Sequence, residues 1–163
     1  MKKIISVLLI STTVYAMFFS EKARLDREVD RLCTIDGGIK VYETVTLPTD
    51  KFNERGEINF YKPTKRENAL GPEYIFKWDI YDYKKGNPSS EGPQESVMGR
   101  DHVKIIRKSD MKLLGEFVLY SRVGGDLPGP WVASSHRCPS AQEASSGKLM
   151  QKVFIQSTRE IGK

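Results

Sequence analysis

The amino-acid sequence predicts an α+β domain: an antiparallel sheet of about five or six strands, an N-terminal helix, a short C-terminal helix and one disulfide. Three observations carry this. Apolar residues alternate along several segments joined by short turns. Helical spacing is confined to the two ends, which separates helix from strand as in α+β chains. The two cysteines, Cys33 and Cys138, lie near opposite ends of the folded region.

At 163 residues the chain suits one domain. Residues 1–19 read as a targeting segment and 20–163 as a single periplasm-facing domain. Lys2 and Lys3 precede an apolar run, Ile4 to Ile10, and Val14-Tyr15-Ala16 places small residues where signal peptidase needs them. Met17-Phe18-Phe19 prolong that run and support a second reading, an uncleaved anchor. Ile4 to Phe19 would span roughly 24 Å as helix, short of the ~30 Å hydrocarbon core. Snorkelling of Lys3 and local thinning cover such a difference. Cleavage leaves a soluble periplasmic protein. Retention tethers it to the inner membrane through residues 4–19. A lipid anchor would need a cysteine directly after the apolar run, and Cys33 stands too far along.

Ser20 to Leu32 is a polar helix, with Leu25, Val29 and Leu32 on one narrow stripe and Lys22/Asp26 and Arg24/Glu28 at i,i+4. Asp36-Gly37-Gly38 ends it. Ile39 to Leu47 alternates and predicts one strand, with Glu43 interrupting its apolar face. Pro48 to Phe52 is a turn or single helical turn, Glu57 to Tyr61 a short strand, and Lys62 to Pro72 a polar loop. Glu73 to Tyr83 is the longest strand, with Tyr74, Phe76, Trp78 and Ile80 on one face and Tyr81 and Tyr83 among charges on the other. Two prolines and two glycines make Lys85 to Gln94 a surface loop. His102 to Lys108 and Leu113 to Val123 form a hairpin about Ser109-Asp110. Gly124 to Pro130 then breaks regular structure. Ser140-Ala141-Gln142-Glu143 matches a capping box for a helix of about two turns, and Lys148 to Gln156 alternates as a last strand.

Without Lys2 and Lys3 the chain has 24 basic and 21 acidic residues, a net +3, spread along its length. A nucleic-acid surface needs basic residues gathered on one face, so none is expected. With only two histidines, His102 and His136, no metal or cofactor site is expected. Asp101-His102 is a poor acid–base pair, because neighbours on a strand face opposite ways. Ser134 to Cys138 gathers hydroxyls, an imidazole and a thiol, but a Cys33–Cys138 disulfide leaves no thiolate to attack and makes this a pinned polar loop. Glu43 is either a buried carboxylate with a raised pKa, or an exposed edge-strand residue or ion-pair member, which is the commoner case. Asp36-Gly37-Gly38 and Gly124-Gly125-Asp126 lack the residues of a phosphate loop. Tyr74, Phe76 and Trp78 read first as core, while Tyr81, Tyr83, Trp131 and His136 are the candidates for a binding surface.

Cys33 with Asp36-Gly37-Gly38-Ile39-Lys40-Val41-Tyr42-Glu43-Thr44-Val45 resembles a segment of small uncharacterised bacterial cell-envelope proteins. Asn68-Ala69-Leu70-Gly71-Pro72-Glu73-Tyr74, Gly124-Gly125-Asp126 and Cys138-Pro139 resemble further segments of that group. The resemblance implies an exported bacterial protein and no particular activity. The expected role is a non-enzymatic domain that binds an envelope protein or polymer. The rivals are a small hydrolase acting on an envelope polymer and an accessory subunit of a membrane complex. Intact mass of the exported protein, before and after reduction, is expected to show Cys33 and Cys138 each short of one hydrogen. The same spectrum, by the presence or loss of residues 1–16, separates an anchor from a signal peptide.

Overall fold

A computed structural model describes residues 12–13, 20–86, 95–126 and 132–157. The apolar segment at 4–19 lies almost wholly outside them. No helix among the described residues is long and apolar enough to cross a membrane.

Ser20 caps the first helix, α1 (Glu21–Asp36), its Oγ accepting the Ala23 N–H at 3.2 Å. The helix runs one turn past the Leu25/Val29/Leu32 stripe that predicts it. Its last turn is held by tertiary bonds from Cys33 and Asp36 rather than by propensity. Gly37 stops it, and a Cβ there would come within 2.6 Å of the Cys33 sulfur. Only glycine lets the chain pass the disulfide so closely.

Five strands build the main sheet: β1 (Gly38–Val41), β3 (Tyr74–Lys84), β4 (Val97–Arg107), β5 (Lys112–Val123) and β6 (Ser135–Cys138). Their order is β1-β5-β4-β3, every pair antiparallel, with β6 also on β5. β1 pairs with Gly115–Val118 and β6 with Tyr120–Val123, so the two lie end to end along one edge of β5. The β4–β5 hairpin turns where the sequence places it: Asp110 accepts the Lys112 N–H at 3.2 Å and Met111 adopts a positive φ. Two further elements, β2 (Val45–Leu47) and β7 (Phe154–Gln156), form a separate parallel pair.

The predicted single strand from Ile39 to Leu47 is therefore two. Tyr42 and Glu43 both donate their N–H groups to the Leu114 carbonyl, at 2.8 and 3.0 Å. The chain bends there, and β2 leaves the main sheet to pair with β7. The last predicted strand is also corrected. Ser146–Val153 is a helix, α2, capped by Ser145, and only Phe154–Gln156 is extended. Leu149 and Val153 lie one helical turn apart, and with Met150 they form a buried face that alternation had mimicked. The capping box at Ser140 closes a turn, with Glu143 accepting from the Ser140 N–H and hydroxyl at 2.9 and 2.8 Å, and the helix starts afresh at Ser145. The short strand at 57–61 reduces to a single bridge between Phe52 and Ile58. The loop at 62–72 holds a 3-10 segment, Pro63–Asn68, and two buried residues, Ala69 and Leu70. The polar loop around Cys138 is strand β6, recruited by the open edge of β5.

Side chains of cross-strand partners share a face, and two small cores follow. On one face α2 and the β2–β7 pair cover Phe76, Ile105, Leu114 and Phe117, with Leu149, Val153 and Phe154 fully buried. On the other face α1 sets Leu25 and Val29 against Met98, Val118 and Tyr120 at the opposite end of the sheet. Each core therefore leaves half of its face uncovered. That is why Tyr74 and Phe76 are buried while Trp78 and Ile80, on the same face of β3, are 59% and 66% exposed.

The Cys33–Cys138 disulfide, with Cα atoms 5.7 Å apart, joins α1 to the end of β6. α2 lies so close to β5 that a Cβ on Gly115 would meet Val153 at 2.8 Å and Leu149 at 3.1 Å. Glycine to alanine within a strand ordinarily stabilises by restricting the unfolded chain. Gly115→Ala is expected to do the reverse, lowering unfolding free energy by about 1–3 kcal/mol through overpacking, as read by urea denaturation.

Candidate functional site

The fold scatters the residues that suggested chemistry. Asp101 and His102 face opposite sides of the sheet. Asp101 accepts the Trp78 indole N–H at 3.0 Å on one side. On the other, His102 Nε2 lies 2.6 Å from Glu116 and Nδ1 lies 3.2 Å from an Arg100 Nη1. A guanidinium can only donate, so Nδ1 accepts and the proton sits on Nε2, donated to Glu116. This is an internal strand position, not the strand start that the sequence predicts.

The network extends in both directions. Tyr42 donates its hydroxyl to Glu116 at 2.6 Å. Arg100 donates to Asp36 at 2.8 Å and to the Tyr120 hydroxyl at 3.1 Å, and Tyr120 donates to Asp36 at 2.6 Å. Burial raises the Tyr120 pKa, and Asp36 adds to that rise. At Glu116 burial pushes the carboxyl up, but hydrogen bonds from Tyr42 and His102 outweigh it and hold the group below its ordinary range. A histidine acting as acid or base needs one nitrogen free for a substrate. Here both are engaged. The chemistry of this cluster is that of a clasp joining α1, β4, β5 and the chain just after β1.

A second clasp lies at the far end of β5. The Arg122 guanidinium, 2% exposed, meets Asp26 of α1 through Nε and Nη2 at 2.8 and 3.1 Å. Its Nη1 reaches the Gly124 and Ser134 carbonyls and the Ser134 hydroxyl at 2.8 to 3.0 Å. Asp126 accepts the Ser134 N–H at 2.6 Å and hydroxyl at 2.9 Å, and pairs with Lys22. The predicted i,i+4 pair Lys22/Asp26 is thus divided between two tertiary partners, and Glu28 pairs with Arg31 rather than Arg24. Sequence reading missed Arg122. Its one signal is a cation at the end of the buried alternation Val118, Tyr120, Arg122.

The remaining candidates resolve as follows. Glu43 is paired with Lys112 and Arg107, whose hydrogen bonds lower its pKa, so it is the ion-pair member and not a raised-pKa acid. The Ser134–Cys138 group is dispersed: Ser134 to the second clasp, His136 to Asp30 of α1 at 2.8 Å, and Cys138 to Cys33. His136 is consequently part of the α1 seam and not of the tyrosine surface. Trp131 lies outside the described residues. Among the described residues no group of His, Cys, Asp and Glu could hold a metal ion.

Tyr81 and Tyr83 do come together. Their rings meet edge to face at 4.9 Å, both well exposed, with Tyr83 6.2 Å from the Tyr120 ring. Trp78 and Ile80 occupy the opposite face of the same strand. β3 is the outer strand of the sheet, and its start is covered by Tyr61 and the Pro63–Asn68 segment. Beyond that, among the described residues, nothing pairs with its outward edge. A groove of about 460 Å³ opens there, lined by Tyr61, Arg66, Phe76, Lys77, Trp78 and Ile80 among others. Arg66 lines it with a φ of 51°, a conformation costing a non-glycine residue about 1–3 kcal/mol. What this strip offers is contact: aromatic rings, aliphatic surface and the outward edge of a strand.

No protein-family model matches the chain, and no curated protein or solved structure matches it.

The Asp126 carboxyl is held down to about 2 against an ordinary 3.8, by the Lys22 ion pair first and the Ser134 N–H second. A depressed carboxyl contributes stability that is present above its unfolded pKa and lost as pH falls through the folded one. Asp126→Asn is expected to unfold at lower urea than the parent at pH 7. Between pH 4 and about 2 it is expected to lose less stability than the parent, so the two curves converge.

Proposed function

We propose that this chain is an exported, non-enzymatic domain of the bacterial cell envelope, facing the periplasm, that works by binding an envelope protein or polymer. One observation carries the reading: the outer half of β3 exposes Trp78, Ile80, Tyr81 and Tyr83 on an edge strand, whereas His102, Glu116, Glu43 and Asp126 are each engaged by other side chains. Exposed apolar surface on an unpaired edge is what proteins ordinarily blunt with charge, proline or cover. Its presence here favours use as an interface. Lys2-Lys3 with the Ile4–Ile10 run supports export, and the Cys33–Cys138 bond fits an oxidising compartment.

The rival hydrolase would need two carboxyls, or a carboxyl and an imidazole, facing one cleft with lone pairs to spare. Asp36, Glu43, Glu116 and Asp126 each hold a cation or a hydroxyl instead.

The contact surface is tested by placing a photo-crosslinking phenylalanine at Tyr81 or at Ile80 in cells that export the protein. Irradiation is expected to yield an adduct with an envelope molecule from these positions, and none from Lys152 on the exposed side of α2. Absence of any adduct from both β3 positions would sink the reading.

A further inference from the structure

We infer that a small monocarboxylic acid, its apolar body about the size of one ring, binds at the start of β3. Its body lies among Leu47, Phe60 and Leu70, and its carboxylate accepts from the Tyr74 hydroxyl. This site stands apart from the outer half of β3 and does not depend on it.

A buried phenol ordinarily finds a hydrogen-bond partner. Tyr74 is 5% exposed, its ring set edge to face against Phe154 at 5.0 Å, and its hydroxyl has no partner among the described residues. Nor is that hydroxyl sealed in. Among the described residues, Ser96 Oγ is the one enclosed side-chain oxygen without a partner. The Tyr74 hydroxyl therefore opens on the free space that Tyr74 borders. Two cavities meet there, sharing Pro72, Glu73 and Tyr74. One, of about 210 Å³, is walled by Leu47, Phe60, Leu70 and Pro72. A cavity of about 150 Å³ with aliphatic and aromatic walls takes up benzene, so one ring or a chain of similar bulk is matched in size. The other, of about 400 Å³, runs on to Arg107 and Lys108. Gly71 permits the arrangement: its φ of 79° turns the chain between buried Leu70 and exposed Pro72.

Charge chooses between ligands of that shape. The charged lining residues are Lys51, Glu73, Arg107 and Lys108. Arg107 is already matched by Glu43 and Asp110. Lys108 rests on the neutral Asn68 carbonyl at 2.9 Å, and neither Lys51 nor Glu73 is paired among the described residues. Two uncompensated cations thus face one carboxylate, an excess that a single negative charge balances. The hydroxyl suits the same group. Burial first and Glu73 second raise the Tyr74 pKa, with Arg107 opposing, so the phenol keeps its proton and donates it. A carboxylate accepting this bond satisfies a polar group that the fold leaves unmatched.

The test uses the full chain with its disulfide intact, isotopically labelled at its amides, and benzoate as the probe. Amide shifts centred on Leu70 to Tyr74 are expected to saturate with a dissociation constant of about 1 mM or below. Benzyl alcohol, the uncharged counterpart, and benzylamine are each expected to bind about 10-fold more weakly. Tyr74→Phe removes only the hydroxyl and is expected to weaken benzoate about 5- to 10-fold. Lys51→Gln combined with Lys108→Gln is expected to bring benzoate down to the level of benzyl alcohol. Leu47→Trp, with the parent's circular dichroism, fills the cavity and is expected to abolish the shifts. Should Leu47→Trp fail to fold, the two lysine substitutions decide alone. Failure of benzoate to saturate up to about 50 mM overturns the site, as does unaltered binding in Leu47→Trp. Benzoate and benzyl alcohol binding alike, or benzylamine binding better, overturns the carboxylate. An unchanged constant in Tyr74→Phe overturns the part given to the hydroxyl.

Discussion

Arg122 brings a positive charge into the seam between α1 and the sheet, and the rest of the domain is arranged around it. Removing a guanidinium from water is costly unless every donor finds a partner. Asp26, the Gly124 carbonyl and Ser134 meet that need from three separate segments. Those segments must therefore be in place together. The helix is mostly polar and buries only Leu25 and Val29, too little apolar surface to fix its position alone. Its placement comes from the Arg122–Asp26 pair at one end, Asp36 with Arg100 and Tyr120 at the other, and the disulfide near its last turn. Cross-linking residues about a hundred positions apart removes several kcal/mol of unfolded-state freedom. In a domain this small that is comparable with the whole net stability.

The same logic accounts for the surroundings of the groups that resemble catalytic residues. His102 is flanked by Arg100 and Glu116, and that sandwich leaves its imidazole no free nitrogen to face a substrate. Glu43 sits between Lys112 and Arg107 and secures the bend at which β2 leaves the main sheet. Both are polar answers to a geometric problem. The sheet has two half-covered faces, and its uncovered polar half is held by side-chain networks where a third layer is missing. Among the described residues the uncovered apolar half shows one side-chain hydrogen bond, Trp78 to Asp101, and that asymmetry gives the outer part of β3 its significance.

Much of the architecture was legible in the residues. Ser20 and the Leu25/Val29 stripe marked the first helix, the alternation around Ser109-Asp110 marked the hairpin, and two cysteines in a chain expected to be exported marked the bond between them. Errors fell where one pattern served two structures. The run from Lys148 to Gln156 reads as alternating, but Leu149, Met150 and Val153 fall at helical spacing, and their burial with the close approach to Gly115 fits the helix. The Ile39–Leu47 run is uniformly strand-like, but the Leu114 carbonyl accepts from two successive amides and divides it. Of the surface candidates, Tyr81 and Tyr83 were readable from their face of the strand. Trp78 reads as core and Ile80 is placed on the same face, because nothing local reveals that the covering layer ends at Phe76.

What the sequence by itself determined is the class of fold, the helix and hairpin positions and the cysteine pair, since caps, period and turn chemistry act between residues close along the chain. Tertiary structure alone decided that β1 and β6 share one edge of β5, that Arg122 and Asp26 meet, and that β3 ends half bare. Each depends on segments about a hundred residues apart arriving at one strand, or on how far a covering layer extends. Local periodicity carries no record of either.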